Sequence, residues 1–153
     1  MNPFELAKAV IALLIITDPL GNIPIFMSLT GHMSAEERRK ALRTATIVAL
    51  VLLLAFALAG QQLLKLFGIS MESFMIAGGI LLLIIAVKIL VYGAWEEKVI
   101  SPESVGAVPI AFPLLTGPGA ITTAMVILQR SGLAVTVVAV LINFAIVGAA
   151  LHF

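Results

Sequence analysis

The stretch Thr17-Asp18-Pro19-Leu20-Gly21-Asn22-Ile23-Pro24 interrupts an apolar run that otherwise has the length of a membrane crossing. Ala9 to Ile16 on one side is wholly apolar, and Ile23 to Leu29 on the other is nearly so. Roughly 20 residues at about 1.5 Å rise cross a bilayer core, so the two sides together suffice. The middle is badly suited to lipid. Pro19 removes a donor from the helical ladder and crowds the preceding turn, and Pro24 repeats the fault. Interrupted backbone survives in hydrocarbon only where protein buries it or where it lines a watery cavity. An ionisable group at such depth marks a functional site by default.

A second stretch echoes the first. Leu114-Leu115-Thr116-Gly117-Pro118-Gly119-Ala120-Ile121 carries the same Thr-x-Pro after two large aliphatic residues and again breaks an apolar run. Two interrupted hydrophobic segments in corresponding halves of a chain point to the binding site of a secondary transporter.

Composition makes the membrane the only consistent solvent. Hydrophobic residues are 61% and charged residues 11%, with mean hydropathy +1.19. Soluble domains hold about 45–50% and about 25%. The net charge of +1 is uninformative about nucleic acid, but no basic stripe interleaves with aromatics and the basic residues cluster in one short loop, so no nucleic-acid partner is expected. Without cysteine there is no disulfide, thiolate metal site or cysteine nucleophile, and two scattered histidines give no metal signature. No cofactor is implied. Lys8 ahead of an apolar run mimics a signal peptide, but the run ends at Asp18-Pro19 without a small-x-small cleavage site and is read as a retained span.

Five spans are expected in 153 residues: about 4–29, 41–61, 71–92, 105–128 and 133–153. Ser34-Ala35-Glu36-Glu37 reads as a capping box ahead of the second. Ala77-Gly78-Gly79 in the third admits a close helix neighbour, most simply by packing. Lys88, Tyr92 and Trp95 mark a bilayer interface. The polar linker Glu96 to Ser104 separates a first half, residues 1–95 with three spans, from a second, residues 105–153 with two. With the N-terminus outside, Arg38, Arg39, Lys40, Arg43, Lys88 and Lys98 lie on the inner side and Lys8, Lys65 and Arg130 on the outer. That asymmetry favours this orientation, and it makes the two Thr-x-Pro segments cross in opposite directions, as in an inverted repeat. The fold class is therefore all-α: a polytopic transmembrane helical bundle built as an inverted three-plus-three repeat, with helices 1 and 4 broken.

The candidate site is the pair of breaks: Thr17, Asp18, Pro19, Gly21 and Asn22 in one, Thr116, Gly117, Pro118 and Gly119 in the other, with Thr123 a turn beyond. They are expected to meet near the bilayer midplane and form one cavity. Asp18 either binds a coupling cation, a proton or a ligand ammonium, or caps the restarting half-helix; the two roles can coexist. Thr17 and Thr116 either touch substrate or bond to a carbonyl one turn back. The glycines either bare the backbone to a ligand or permit packing. Of the neighbours Thr122 and Thr123, at most one is expected to face the cavity. Asn143, in the fifth span, either lines the cavity or bonds across helices. Asp18 is the only aspartate, so a carboxylate pair for proteolysis is missing and no enzyme is expected.

Asp18 to Phe26, Glu37-Arg38-Arg39, Phe67-Gly68-Ile69-Ser70, Ala77 to Leu81 and Pro113 to Thr123 resemble, in order, the MarC family of integral membrane proteins, including its SnatA-type transporters of small neutral amino acids. The resemblance implies six spans in two inverted triplets and the first and fourth helices broken at these motifs. It also implies transport of glycine- and alanine-class substrates across the cell inner membrane, coupled to a proton or sodium gradient. The alternative is a structural or regulatory membrane subunit without transport of its own. The family's sixth span has no counterpart after Phe153. The expectation is either a truncated form or a bundle completed by another chain, such as a homo-oligomer with Asn143 or Gly148 near the contact.

Orientation is directly testable, because the chain holds no native cysteine. On intact cells a membrane-impermeant thiol reagent should label Ser131→Cys and spare Ser34→Cys; the opposite pattern would reverse the topology.

Overall fold

The computed structural model describes residues 2–92 and 101–152. The ordered elements are α1 (Pro3–Thr17), α2 (Pro19–Thr30), α3 (Ala35–Leu66), α4 (Met71–Tyr92), α5 (Pro102–Val105) and α6 (Pro118–His152). Between α5 and α6, Gly106–Leu115 forms a wide coil that holds Pro109 and Pro113 and is extended at Val108 and Phe112. Among the described residues there is no strand. Trp95 and most of the linker at 96–104 lie outside them.

Pro3–Thr30, Ala35–Leu66, Met71–Lys88 and Pro118–His152 are long and apolar enough to cross a membrane. The protein is a polytopic helical membrane protein. The sequence reading separates a fourth and a fifth span where one continuous helical stretch, α6, now stands. The two descriptions meet at Gly132, whose φ of 79° and ψ of 175° interrupt α6. Gly119 packs on Ile16, Ser131 Oγ donates to Glu5 Oε2 at 3.4 Å, and Asn143 reaches Thr17. The chain thus descends along α1 from Gly119 to Ser131 and climbs back to Asn143. Gly132 is the reversal, and its positive φ with extended ψ is a conformation that side-chain-bearing residues avoid.

α3 begins at the expected capping box: Glu37 N–H donates to Ser34 Oγ at 3.3 Å and Ser34 N–H to Glu37 Oε2 at 2.8 Å. Its 32 residues carry a buried stripe of Ala41, Ala45, Ala49, Leu53, Ala57, Gly60 and Leu64. This stripe recurs at every fourth or third position, so it faces one way. Because it is made largely of small side chains, backbone can approach it closely. Gly106 lies against the Ala41 carbonyl, Thr116 bonds to Ala49, and Met125 lies on Gly60. The second half of the chain is thereby laid along α3. At its entry Lys40 Nζ pairs with Glu103 Oε1 at 2.6 Å. Both groups are well exposed, so the pair helps set register and adds little stability.

α4 is the least embedded helix. Ile76, Ile80, Leu83 and Leu90 are exposed, as suits a surface facing hydrocarbon. It is held where Gly78 meets the Pro118 ring, a place no side chain could occupy, whereas Gly79 has open space beside it. The packing reading of this glycine pair is correct for Gly78 alone.

Candidate functional site: the paired helix breaks

The first break is an exchange of hydrogen bonds. Asp18 adopts φ 38°, ψ 66°, the left-handed region that Asp and Asn tolerate better than other residues with a Cβ. Its own N–H still reaches Leu14 O at 3.1 Å and closes α1. Pro19, with no N–H to lose, opens α2 at the favoured first position. In an unbroken helix Gly21 N–H would bond to Thr17 O. Here it donates to Asp18 Oδ1 at 3.0 Å, and Asn22 Nδ2 donates to the vacated Thr17 carbonyl at 2.8 Å and to Asp18 O at 3.1 Å. Asp18 therefore acts as the cap, and Asn22 caps the other side of the same gap. Gly21 is required, because a Cβ there would run into the Asp18 carboxylate.

Thr17 is wholly buried. Its hydroxyl lies 2.9 Å from Leu13 O and 3.2 Å from Asn143 Oδ1, and its single proton can serve only one of them at a time. Asn143 is also wholly buried, and its Nδ2 has no partner among the described residues. Turned over, the amide would donate to Thr17 while Thr17 donates to Leu13. An unmet buried polar group costs about 1–3 kcal/mol, so this amide is a place where binding capacity is left over. Asn143 bonds across helices, as one sequence reading has it. Within the chain Asn143 is completely buried, and Gly148 packs beside Thr46.

The second break leans on its neighbours. Thr116 N–H reaches Ala111 O at 2.9 Å, and its buried hydroxyl donates to Ala49 O of α3 at 3.0 Å rather than to a carbonyl one turn back. A Cβ on Gly117 would stand 2.7 Å from Pro113 O. Pro118 opens α6 against Gly78, and Thr122 Oγ1 donates to Pro118 O at 2.7 Å.

The breaks adjoin, but not through their threonines. A Cβ on Gly119 would lie 3.0 Å from the Ile16 side chain, one residue before Thr17. Thr17 turns to the second arm of α6 and Thr116 to α3. Where one shared polar space is expected, Ile16 lies on Gly119. Asp18 instead borders an open groove of about 410 Å³ with Ile11, Ile15, Leu20 and Ile146. Thr123 lies in another pocket, of about 350 Å³, together with Thr122. Both threonines line it, because this pocket, separate from the breaks, follows the seam between α1 and α6 and borders adjacent helix positions.

Comparison with known proteins agrees over nearly the whole chain. The family described as MarC family integral membrane protein matches residues 4–152. A UPF0056 membrane protein of Archaeoglobus fulgidus is 42% identical over 142 residues, covering 88% of this chain and 67% of its own length. One from Pyrococcus horikoshii is 36% identical, covering 82% and 65%, and YhcE of Escherichia coli is 39% identical, covering 78% and 59%. The chain thus spans about three fifths to two thirds of the relatives it matches. No solved structure matches it.

The cap makes a stability prediction. Asp18→Asn keeps an acceptor for Gly21 and tolerates the left-handed backbone, so its melting temperature in detergent should stay near wild type. Asp18→Ala loses the cap, worth about 1 kcal/mol, and meets added backbone strain of about 1–2 kcal/mol. A melting temperature for Asp18→Ala equal to that of Asp18→Asn would contradict this role.

Proposed function

We propose that this chain, which belongs to the MarC family of integral membrane proteins, serves alternating-access transport of small neutral amino acids of the glycine and alanine class. The single observation that carries the reading is the adjoining pair of breaks. Two Thr-x-Pro interruptions in opposite halves of the sequence come together at Ile16 and Gly119. Discontinuous helices at a repeat interface are how secondary transporters build substrate and ion sites. A zwitterion suits the chemistry. The N-terminal ends of α2 and α6 favour a carboxylate, and Asp18 or the carbonyls at the end of α1 favour an ammonium group or a coupling proton or sodium ion. A small substrate suits walls of glycine and proline. The same proposal places the protein in the cell inner membrane with its N-terminus outside.

The second reading, a structural or regulatory subunit, draws on the seating of Ile16 on Gly119, an apolar contact where the breaks adjoin. In the transport reading that contact is an occluded arrangement that separates during the cycle.

Uptake of radiolabelled alanine into proteoliposomes under an imposed proton or sodium gradient decides between them. Asp18→Asn, which keeps the cap, should abolish uptake by removing the charge. Gly119→Val, pressed into Ile16, should abolish it without changing any charge. Wild-type uptake in both variants would show that the breaks serve packing only.

A further inference from the structure

The seam between α1 and the first arm of α6 holds a pocket of about 350 Å³ away from both breaks. Its rim carries Glu5, Lys8 and Arg130, and its inner wall carries Thr122, Thr123 and Ala12. Lys8 Nζ stands 3.7 Å from Glu5 Oε1 and 4.2 Å over the Phe4 ring, so its charge is largely answered. Arg130 has no ion-pair partner among the described residues. Deeper in, Thr122 spends its proton on Pro118 O, whereas the Thr123 hydroxyl makes no hydrogen bond among them. The pocket thus offers one unanswered guanidinium, one carboxylate and a free hydroxyl beside small apolar walls.

We infer that this pocket is a binding site for a small carboxylate-bearing solute, with Arg130 and Thr123 receiving the carboxylate and Glu5 receiving an α-ammonium group. A guanidinium presents paired donors that match a carboxylate. Glu5 is oriented by Ser131 Oγ at 3.4 Å, which fixes one carboxylate oxygen and leaves the other near Lys8. Ala9 and Ala12 give the wall small apolar side chains that leave room for a compact solute. Thr123 lies one helical turn along the same arm from Gly119, so the pocket is separate from the breaks but lies on the arm that leads to the second one. The choice of a zwitterion rests on the transport reading. The recognition of a carboxylate rests on Arg130, with the Thr123 hydroxyl beside it, and not on the transport reading.

Equilibrium binding to the purified chain in detergent separates the two, with labelled L-alanine and labelled propionate as probes. Arg130→Gln should weaken both by about tenfold or more, the loss expected for charge-assisted hydrogen bonds. Arg130→Lys should recover part of it. Glu5→Gln should weaken alanine and leave propionate unchanged. Because Arg130 is exposed, its variants should melt with wild type. Absent binding of both probes, or binding unchanged in Arg130→Gln, overturns the site. Propionate binding that depends on Arg130, with alanine bound no better and indifferent to Glu5, overturns the zwitterion assignment. Alanine uptake measured in parallel keeps the readings apart. Wild-type uptake with an unaltered KM in Arg130→Gln removes this site and spares transport. Arg130-dependent binding without any uptake supports the site and removes transport.

Discussion

Every backbone group that a helix break releases inside a membrane must find a partner in the protein, because hydrocarbon supplies none. Leaving one unmet costs several kcal/mol. This constraint shapes the two breaks differently. The first is repaired locally: Asp18 takes the Gly21 N–H and Asn22 takes the Thr17 carbonyl, within five residues of chain. The second draws on tertiary structure, since Thr116 depends on Ala49 of α3. The first break therefore carries its own stability in its sequence, and the second exists only when the halves are assembled.

The assembly in turn depends on small residues. Ala41, Ala45, Ala49 and Gly60 make α3 a flat rail, on which Gly106, Thr116 and Met125 are laid in order. Gly78 does the same for α4 against Pro118. In lipid, apolar area by itself gives helices no reason to associate, so close contact and a few cross-helix hydrogen bonds carry the packing. Thr17 with Asn143 and Thr116 with Ala49 are such bonds, and each ties a broken helix to a neighbour.

Much of this was legible in the sequence because it is local chemistry. The capping box at Ser34, the interruption at Asp18-Pro19 and the reversal near Gly132 follow from residue types at fixed spacing. What stayed hidden was direction. In helices apolar on every side, periodicity no longer says which face is buried, so Thr17 and Thr116 looked equivalent although they turn to different helices. The same uniformity hid the fact that Thr122 and Thr123 share a pocket. Asn143 was visible as a lone amide in an apolar span, but its bond to Thr17 joins residues 126 apart and no local pattern encodes it. The pocket of Glu5, Lys8 and Arg130 escaped notice for a similar reason, because charges near span ends read as orientation signals.

The central claim is that the meeting point of the breaks is reached from each side of the membrane in turn. A single cysteine at Ile16, in a chain that has none of its own, tests it most directly. In sealed vesicles of either orientation, a membrane-impermeant thiol reagent should react with Ile16→Cys from both sides, and saturating L-alanine should slow both reactions. Reaction from one side only, at a rate that alanine does not change, would contradict the account.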